Sequence, residues 1–410
     1  MHSFFKVKTA EDIFKSLRDI MPLGTESVPI TDALNRVLAK DIISDEDLPG
    51  FKRSTMDGYA LAAKDSFGAS ESLPTPLTIV GEVKMGEMPQ CSLHRGECIQ
   101  ISTGGMLPEG ADAVLMVEYS QVVEEGVVEI CRPVSPLENV ILPDDDLKKG
   151  QVVLHEGSLL RPQDLGILAG LGIRRITVFT RPKAAIISTG EEIVDIGQKP
   201  EAGQMRDINS YTLGGLCIKL GVEPLYMGII RDNFKDLTLF IEKGISQADV
   251  VLLSGGSSVG VKDFTLDAFL SLDGVELVAH GVSISPGKPT IIARKENKTL
   301  WGLPGHPVSA MIIFDIFLSY LFRKLSGLSN LAPYHIHAIE AELDRNIESA
   351  TGRDDYIRVK LTQGDGGWLA TPILGKSGLI YTMVEADGIV TIDRNTEGLY
   401  KGEMVKVKLF

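Results

Sequence analysis

The stretch 249–265, DVVLLSGGSSVGVKDFT, decides the fold. Val250, Val251, Leu252 and Leu253 form an unbroken apolar run, the pattern of a strand buried on both faces. It breaks into Ser254-Gly255-Gly256-Ser257-Ser258, and Asp263-Phe264-Thr265 then leads into a helix. Strand, glycine loop and helix in that order suit an open α/β sheet, where ligands sit beyond the carboxyl ends of the strands. The glycines let backbone approach a ligand closely, and exposed N–H groups there suit an anion. The blander reading is a Gly/Ser turn with Asp263 capping the helix. Three glycines, three serines and one aspartate within Ser254–Asp263 favour a phosphorylated ligand. The loop is neither a Walker loop nor a G-x-G-x-x-G dinucleotide fingerprint.

The flanks repeat the rhythm. KAAIIS (183–188) and EPLYMGII (223–230) read as strands; SYTLGGLCIKLG (210–221), DNFKDLTLFIEKGIS (232–246) and DFTLDAFLSL (263–272) read as helices. Such alternation predicts a parallel sheet covered by helices on both faces. The segment Val308–Leu325 is apolar nearly all round, so it reads as a buried helix, with Gly327 as its C-terminal cap. Two more polar clusters follow strands: Ser188-Thr189-Gly190-Glu191-Glu192 and Gly228-Ile229-Ile230-Arg231-Asp232-Asn233. With Asp263, Glu192 and Asp232 would place three acids at one sheet edge. Carboxylates beside a phosphate commonly hold Mg²⁺, a hard cation that prefers oxygen. The alternative is that each merely caps the helix that follows. Ser285-Pro286-Gly287-Lys288-Pro289 and Leu303-Pro304-Gly305-His306-Pro307-Val308-Ser309-Ala310 read as rigid shaped loops. Lys288 would add positive charge and the buried helix a favourable N-terminus, unless both loops are plain turns.

The rest of the chain has a different texture. Thr9–Asp12 starts one helix, carrying Ile13, Phe14 and Leu17; Thr31-Asp32-Ala33-Leu34 is expected to start another, with Leu34, Val37 and Leu38 on one face. From Leu48 to Pro143, short runs such as LTIVGEV, ADAVLMVE and GVVEICRP alternate with Gly/Pro turns, predicting a small all-β domain. The polar segments around Asp57 and around Thr103 read there as loops, and Asp144-Asp145-Asp146 as a solvated charge run. QVVLHEG and a Pro162-initiated helix come next. After GLSNLAPY, YIRVKLT, WLATPIL, GIVTI and MVKVKLF predict a small barrel or sandwich. The 410 residues carry 41 Lys+Arg against 55 Asp+Glu, a net charge of −14, which argues against a nucleic-acid partner. The four cysteines show no C-x-x-C spacing and the seven histidines no H-x-x-x-H pair, disfavouring zinc. The start lacks a signal pattern, and Met311–Phe322 is too short to span a bilayer, so a cytoplasmic protein is expected.

STMDGYA, STGG…PEGADAV, STGEE, GIIRD, SGGSSVGVKD, PGKP and LPGHPVSA occur in this order. Together they closely resemble the MoeA family of molybdopterin molybdenumtransferases, to which the E domain of gephyrin is related. The resemblance implies four domains: an elongated one (1–47 and 144–180), a β-rich insert (48–143), an α/β molybdopterin-binding domain (181–327) and a C-terminal β domain (328–410). It implies an elongated homodimer whose cleft lies between the insert of one subunit and the α/β and C-terminal domains of the other. The implied reaction takes adenylylated molybdopterin and molybdate, releases AMP and leaves molybdenum on the dithiolene sulfurs, with Mg²⁺ assisting. Carried over position by position, Asp57, Asp146, Glu192 and Asp263 are the catalytic carboxylates. Thr103, Asp232, Gly255, Gly256, Ser257, Ser258, Pro304 and Pro307 bind substrate. Lys288, Ser309, Arg353 and Ser377 surround molybdate, and Glu192, Asp232 and Asp263 hold the metal.

The chain departs from the family pattern in three places. Ile141-Leu142-Pro143 stands where many relatives have arginines, Ser285 where a lysine is common, and His306 where asparagine is frequent. Fewer cations beside an anion site should weaken oxyanion or phosphate binding, leaving a tungstate-selective paralogue or one of reduced activity as alternatives; a non-catalytic molybdopterin-binding scaffold is a rival because the eukaryotic relative also anchors receptors. Molybdopterin adenylylation is a further rival. The carboxylate set favours the enzyme, and the insert with the C-terminal domain favours metal insertion.

Overall fold

Along the strand Lys183–Thr189, successive side chains enter opposite cores. Ala184 and Ile186 belong to one apolar cluster, Ala185 and Ile187 to the other, as the two-residue period of a strand demands. The same alternation holds for Val250 and Leu252 against Val251 and Leu253. The structure, a computed structural model, describes residues 7–255, 264–329, 338–364 and 366–410. The chain divides into two compact units. One comprises the chain up to Ala39, Glu156–Arg161 and Ile176–Phe410; the other comprises Lys40–His155 and Pro162–Arg175.

The first unit holds a six-stranded sheet in the order Glu223–Ile230, Lys183–Thr189, Val250–Ser254, Lys298–Leu303, Ile291–Lys295, Glu276–His280. The first four strands are mutually parallel, as the α/β rhythm predicts. Ile291–Lys295 alone runs against the others, antiparallel to Lys298–Leu303 on one side and to Glu276–His280 on the other, and makes the sheet mixed; the alternation in the sequence does not predict this reversal. The cause is local: Lys295 pairs with Lys298, so only Glu296 and Asn297 turn the chain. A two-residue loop can join antiparallel strands only, and Glu296 takes the left-handed φ of 53° that such a turn requires.

Helix Asn209–Lys219 covers one face through Leu213 and Cys217, beside Phe314 and Phe317. Helices Phe234–Gln247 and Phe264–Ser271 cover the other through Leu237, Ile241 and Phe269. The buried apolar helix runs from Pro307 to Leu325 with one wide π-turn at Phe314–Leu318. Gly327 follows it at a φ of 75°, suited to the expected cap. Thr9 and Asp12 form a reciprocal capping box at the start of helix Ala10–Leu17.

The helix expected at Thr31 is absent. A single 3₁₀ turn, Ile30–Asp32, follows Pro29; Asn35 then adopts a φ of 58°, and Leu34 is exposed. Val37 and Leu38 are buried instead as bridge partners of Leu159 and Val178. Tertiary pairing has overridden a weak helical signal.

At the C-terminus, strands Asp354–Gly364, Gly367–Pro372, Ala338–Leu343, Met404–Leu409 and Gly388–Ile392 pair in that order, and the last pairs back to the first. The sheet therefore closes into a barrel, which leaves these strands no open edge. The second unit contains a six-stranded sheet in the order Ala113–Met116, Gly58–Leu61, Glu97–Ile101, Thr75–Val83, Val127–Ile130, Ser120–Glu124.

Candidate active site

Four strand ends of the first unit lie level. Thr189 pairs with Ile230, Ser188 with Ser254, and Ser254 with Leu303. The loops that follow all leave the same carboxyl edge. Gly255 sits there at a φ of 109°, and a methyl group on it would meet the Thr189 carbonyl at 2.0 Å. Only glycine fits. Its N–H donates to the Leu303 carbonyl at 3.3 Å, tying this loop to the Pro304 loop. Gly256, Ser257, Ser258 and Asp263 fall outside the described residues.

Asp232 is half-buried at this edge, and its Oδ1 accepts the Thr189 hydroxyl at 2.5 Å. It does not cap the next helix. Asn233 does, its side chain accepting from the Lys235 N–H at 2.9 Å. The capping alternative for Asp232 therefore gives way. Glu192 is exposed, with Oε2 lying 2.9 Å from where a Gly190 Cβ would stand.

The sequence reading missed the polar layer beneath. Ser188 and Ser210 share a hydrogen bond at 2.9 Å, and buried Asp207 accepts from the Ser210 N–H at 3.0 Å. Buried Asn209 donates through Nδ2 to Ser254 Oγ and, at 2.8 Å, to the Gly305 carbonyl. In sequence, Asn209 and Ser210 precede an apolar run and look like ordinary cap residues; no spacing marks them as more.

The proposed oxyanion residues also gather in this unit. Ser285 pairs with Asp355 in a short parallel bridge, bringing the Gly287-Lys288 loop beside the strand that follows Arg353. A methyl on Gly287 would meet Ile313 Cδ1 at 2.9 Å, so that loop lies tight against the buried helix. Ser309 is buried on the same helix, and Pro304 and Pro307 frame its start. Ser377 reaches this loop from the barrel side. Its hydroxyl bonds His306 Nδ1 at 2.8 Å, and its carbonyl accepts from the Val308 N–H at 3.2 Å. Lys288 is exposed. Arg353 Nε stands 3.0 Å from buried Asp355 Oδ1, yet neither atom has an aligned hydrogen bond among the described residues. The pair is in charge contact, and a guanidinium carries four further N–H donors besides that Nε.

In the second unit, Asp57 and Thr103 come together. The Thr103 N–H donates to Asp57 Oδ1 at 2.6 Å and its hydroxyl at 3.0 Å. These bonds hold the Asp57 carboxyl below its ordinary value of 3.8, the backbone N–H contributing most. Asn139 lies in the same loop cluster; its carbonyl accepts from the Thr55 N–H at 3.0 Å. Asp146 is exposed, held through its backbone N–H to the Leu48 carbonyl at 3.0 Å. Of the charge run, Asp144 pairs with Lys148 at 3.1 Å and Asp145 accepts from the Leu142 N–H at 2.7 Å.

Because the folded-state value of Asp57 is depressed, the bonds to its anion operate above the unfolded value and are lost as pH falls through the folded one. Thr103→Val removes the hydroxyl and keeps the N–H. The Asp57 carboxyl should then titrate at higher pH, part of the way back to 3.8, read from its ¹³C resonance. An unmoved titration would show that the hydroxyl contributes nothing.

No group of three or more acidic, histidine or cysteine side chains among the described residues is poised to hold a metal alone. Glu192 and Asp232 follow neighbouring parallel strands and carry carboxylate oxygens, the donor type Mg²⁺ prefers; that ion usually takes one or two carboxylates and completes its shell with phosphates and water. No helix of the described residues is long and apolar enough to cross a membrane.

Comparison with known proteins places these features in a family context. Residues 6–172 match the model for the MoeA N-terminal region (domain I and II), 185–324 that for a probable molybdopterin binding domain, and 340–410 that for the MoeA C-terminal region (domain IV). A putative molybdopterin biosynthesis protein of Methanocaldococcus jannaschii is 35% identical over 98% of this chain and 97% of its own. A molybdopterin molybdenumtransferase of Haemophilus influenzae is 33% identical over 95% of each chain. The crystal structure of a molybdopterin biosynthesis MoeA protein from Pyrococcus horikoshii superposes with a TM-score of 0.85 at 32% identity, covering 99% of this chain and 100% of that one.

Proposed function

The chain belongs to the MoeA family of molybdopterin molybdenumtransferases, and from that premise we propose how its residues divide the reaction. It serves molybdenum cofactor biosynthesis as a molybdopterin molybdenumtransferase. The substrates proposed here are molybdate and adenylylated molybdopterin, with AMP as the product.

The observation that carries this reading is the carboxyl edge of the sheet, where Gly255 must be glycine and Asp232 is released from capping duty by Asn233. Backbone at Gly255 approaches the pyrophosphate. Asp232, aimed by the Thr189 hydroxyl, and Glu192 would hold Mg²⁺, which would supply positive charge to balance the anhydride. By resemblance Asp263 joins them, and Gly256, Ser257 and Ser258 extend the cradle. Lys288, Arg353, Ser309 and Ser377 receive molybdate, since cationic and hydroxyl donors together raise the local concentration of an oxyanion. Asp57, oriented by its two bonds from Thr103, and Asp146 act from a second protomer, orienting a water or ligand proton. Localisation in the cytoplasm belongs to the same proposal.

The direct test is AMP release from adenylylated molybdopterin with molybdate and Mg²⁺, repeated with tungstate. No release with either oxyanion would overturn the enzymatic assignment. The shared cleft has its own test. Asp57→Ala and Glu192→Ala homodimers should each be inactive, whereas their purified heterodimer keeps one intact site of two and about half the wild-type rate. A verified heterodimer with no activity would rule the shared cleft out.

A further inference from the structure

Asn209 occupies an unusual position in the polar layer under the sheet edge. It opens the helix Asn209–Lys219 and is only 7% exposed. Its Nδ2 donates both to Ser254 Oγ and to the Gly305 carbonyl. A carbonyl can only accept, so the amide orientation is forced: the NH₂ faces Gly305 and Oδ1 points away. That Oδ1 is buried without a hydrogen-bond partner among the described residues. An unpaired buried acceptor is costly, and such groups call for an explanation beyond packing. A residue retained for stability alone would do better as an apolar side chain of similar size.

The two bonds join different loops. Ser254 is the last residue of the strand that delivers Gly255, and Gly305 lies in the loop that delivers Pro307, Ser309 and the Ser377 contact. The loops run close together: a methyl on Gly305 would stand 3.7 Å from Gly255 Cα. Asn209 is held in turn by the sheet, because its neighbour Ser210 bonds Ser188 and Asp207.

We propose that Asn209 is a positioning residue that fixes the spacing between the Gly255 backbone and the Gly305–Ser309 loop, and so between the phosphate and the oxyanion that the two sides receive. This rests on the functional reading above. The carboxamide is the one common side chain of this length with two N–H donors and no charge, so it can bridge a hydroxyl and a carbonyl beside an anion site without adding charge to it. Its effect falls on alignment rather than on binding. Each anion keeps its own contacts when the clamp is lost, but the reacting atoms no longer meet at the required separation, and misplacement on the scale of 1 Å costs about 10²-fold in rate.

The test uses full-length Asn209→Ala, Asn209→Asp and Ser254→Ala. The aspartate keeps the shape but, once ionised, has no N–H for the Gly305 carbonyl. In both Asn209 variants kcat for AMP release should fall about 30–100-fold with KM within about 3-fold of wild type. Amide exchange at Gly305 and His306 should quicken about 10-fold while the central strands keep wild-type protection. Ser254→Ala keeps the Gly305 bond and should lose only about 3–10-fold in kcat. Wild-type kcat in both Asn209 variants overturns the proposal. So does a raised KM at unchanged kcat, which would mark a substrate contact, or exchange quickened equally across the sheet, which would mark an ordinary core residue. If Asn209→Ala fails to fold, the other two variants carry the test. If wild-type protein releases no AMP, the functional reading fails, and the exchange measurement alone still decides whether the clamp exists.

Discussion

Asp232→Asn and Glu192→Ala should each lower AMP release by about 10³-fold while leaving the α/β domain folded. Asparagine at 232 preserves the shape and still offers Oδ1 to the Thr189 hydroxyl, so the change removes charge and little else. Glu192 is exposed, and losing a surface side chain of this kind usually alters stability by no more than about 0.5 kcal/mol. The cost falls on the transition state. A phosphoanhydride that breaks builds charge on the departing group, and a prepared electrostatic site with one donor removed typically loses about 10²–10³-fold. Where Asp232 holds Mg²⁺ as proposed, loss of the carboxylate lowers the affinity for the ion, and part of the Asp232→Asn defect should recover at high Mg²⁺. Melting temperature and AMP release measured together settle the matter. Turnover within about 3-fold of wild type in either variant would remove that carboxylate from the mechanism.

The second large effect is expected at Gly255→Ala. At a φ of 109° an L-residue is strained, and its methyl would stand 2.0 Å from the Thr189 carbonyl. That contact is with backbone, so no rotamer change relieves it. The strands Lys183–Thr189 and Val250–Ser254 would have to separate at the very edge that delivers the ligand loops. A loss of roughly 3 kcal/mol or more in stability is expected from strain at a special φ combined with overpacking, together with a fall of at least about 10²-fold in turnover. Gly215→Ala is the matched control. Gly215 lies inside helix Asn209–Lys219 with nothing within 4 Å of the added methyl. There alanine should raise stability by up to about 1 kcal/mol. If Gly255→Ala unfolds no more readily than that control and turns over normally, the close approach of backbone at Gly255 is not needed.

The α/β core was legible because its strands advertise themselves. Val250–Leu253 and the apolar part of Lys183–Thr189 bury side chains on both faces, and runs this short ending in Gly and Ser favour strands over a buried helix. The antiparallel pair Ile291–Lys295 and Lys298–Leu303 was not legible. Its apolar content does not encode direction, and its turn residues, Glu296 and Asn297, lack the glycine that usually betrays a two-residue hairpin. The expected helix at Thr31 failed for a related reason. Val37 and Leu38 are spaced for a helix face but are buried by bridging Leu159 and Val178, residues far along the chain.

The site divides along the same line. Sequence alone determined that acids, glycines and hydroxyls follow the strand ends, because residue type at such a turn is set locally. Whether Asp232 or Asn233 caps the helix, which serine meets His306, and why Asn209 is buried were decided only in three dimensions. Both members of the Asp232-Asn233 pair can cap, and the choice turns on the Thr189 hydroxyl reaching over from the adjacent strand. Hydrogen bonds between residues that sheet register brings together leave no periodicity behind. Their partners are set by packing over long separations, which a single chain of letters does not record.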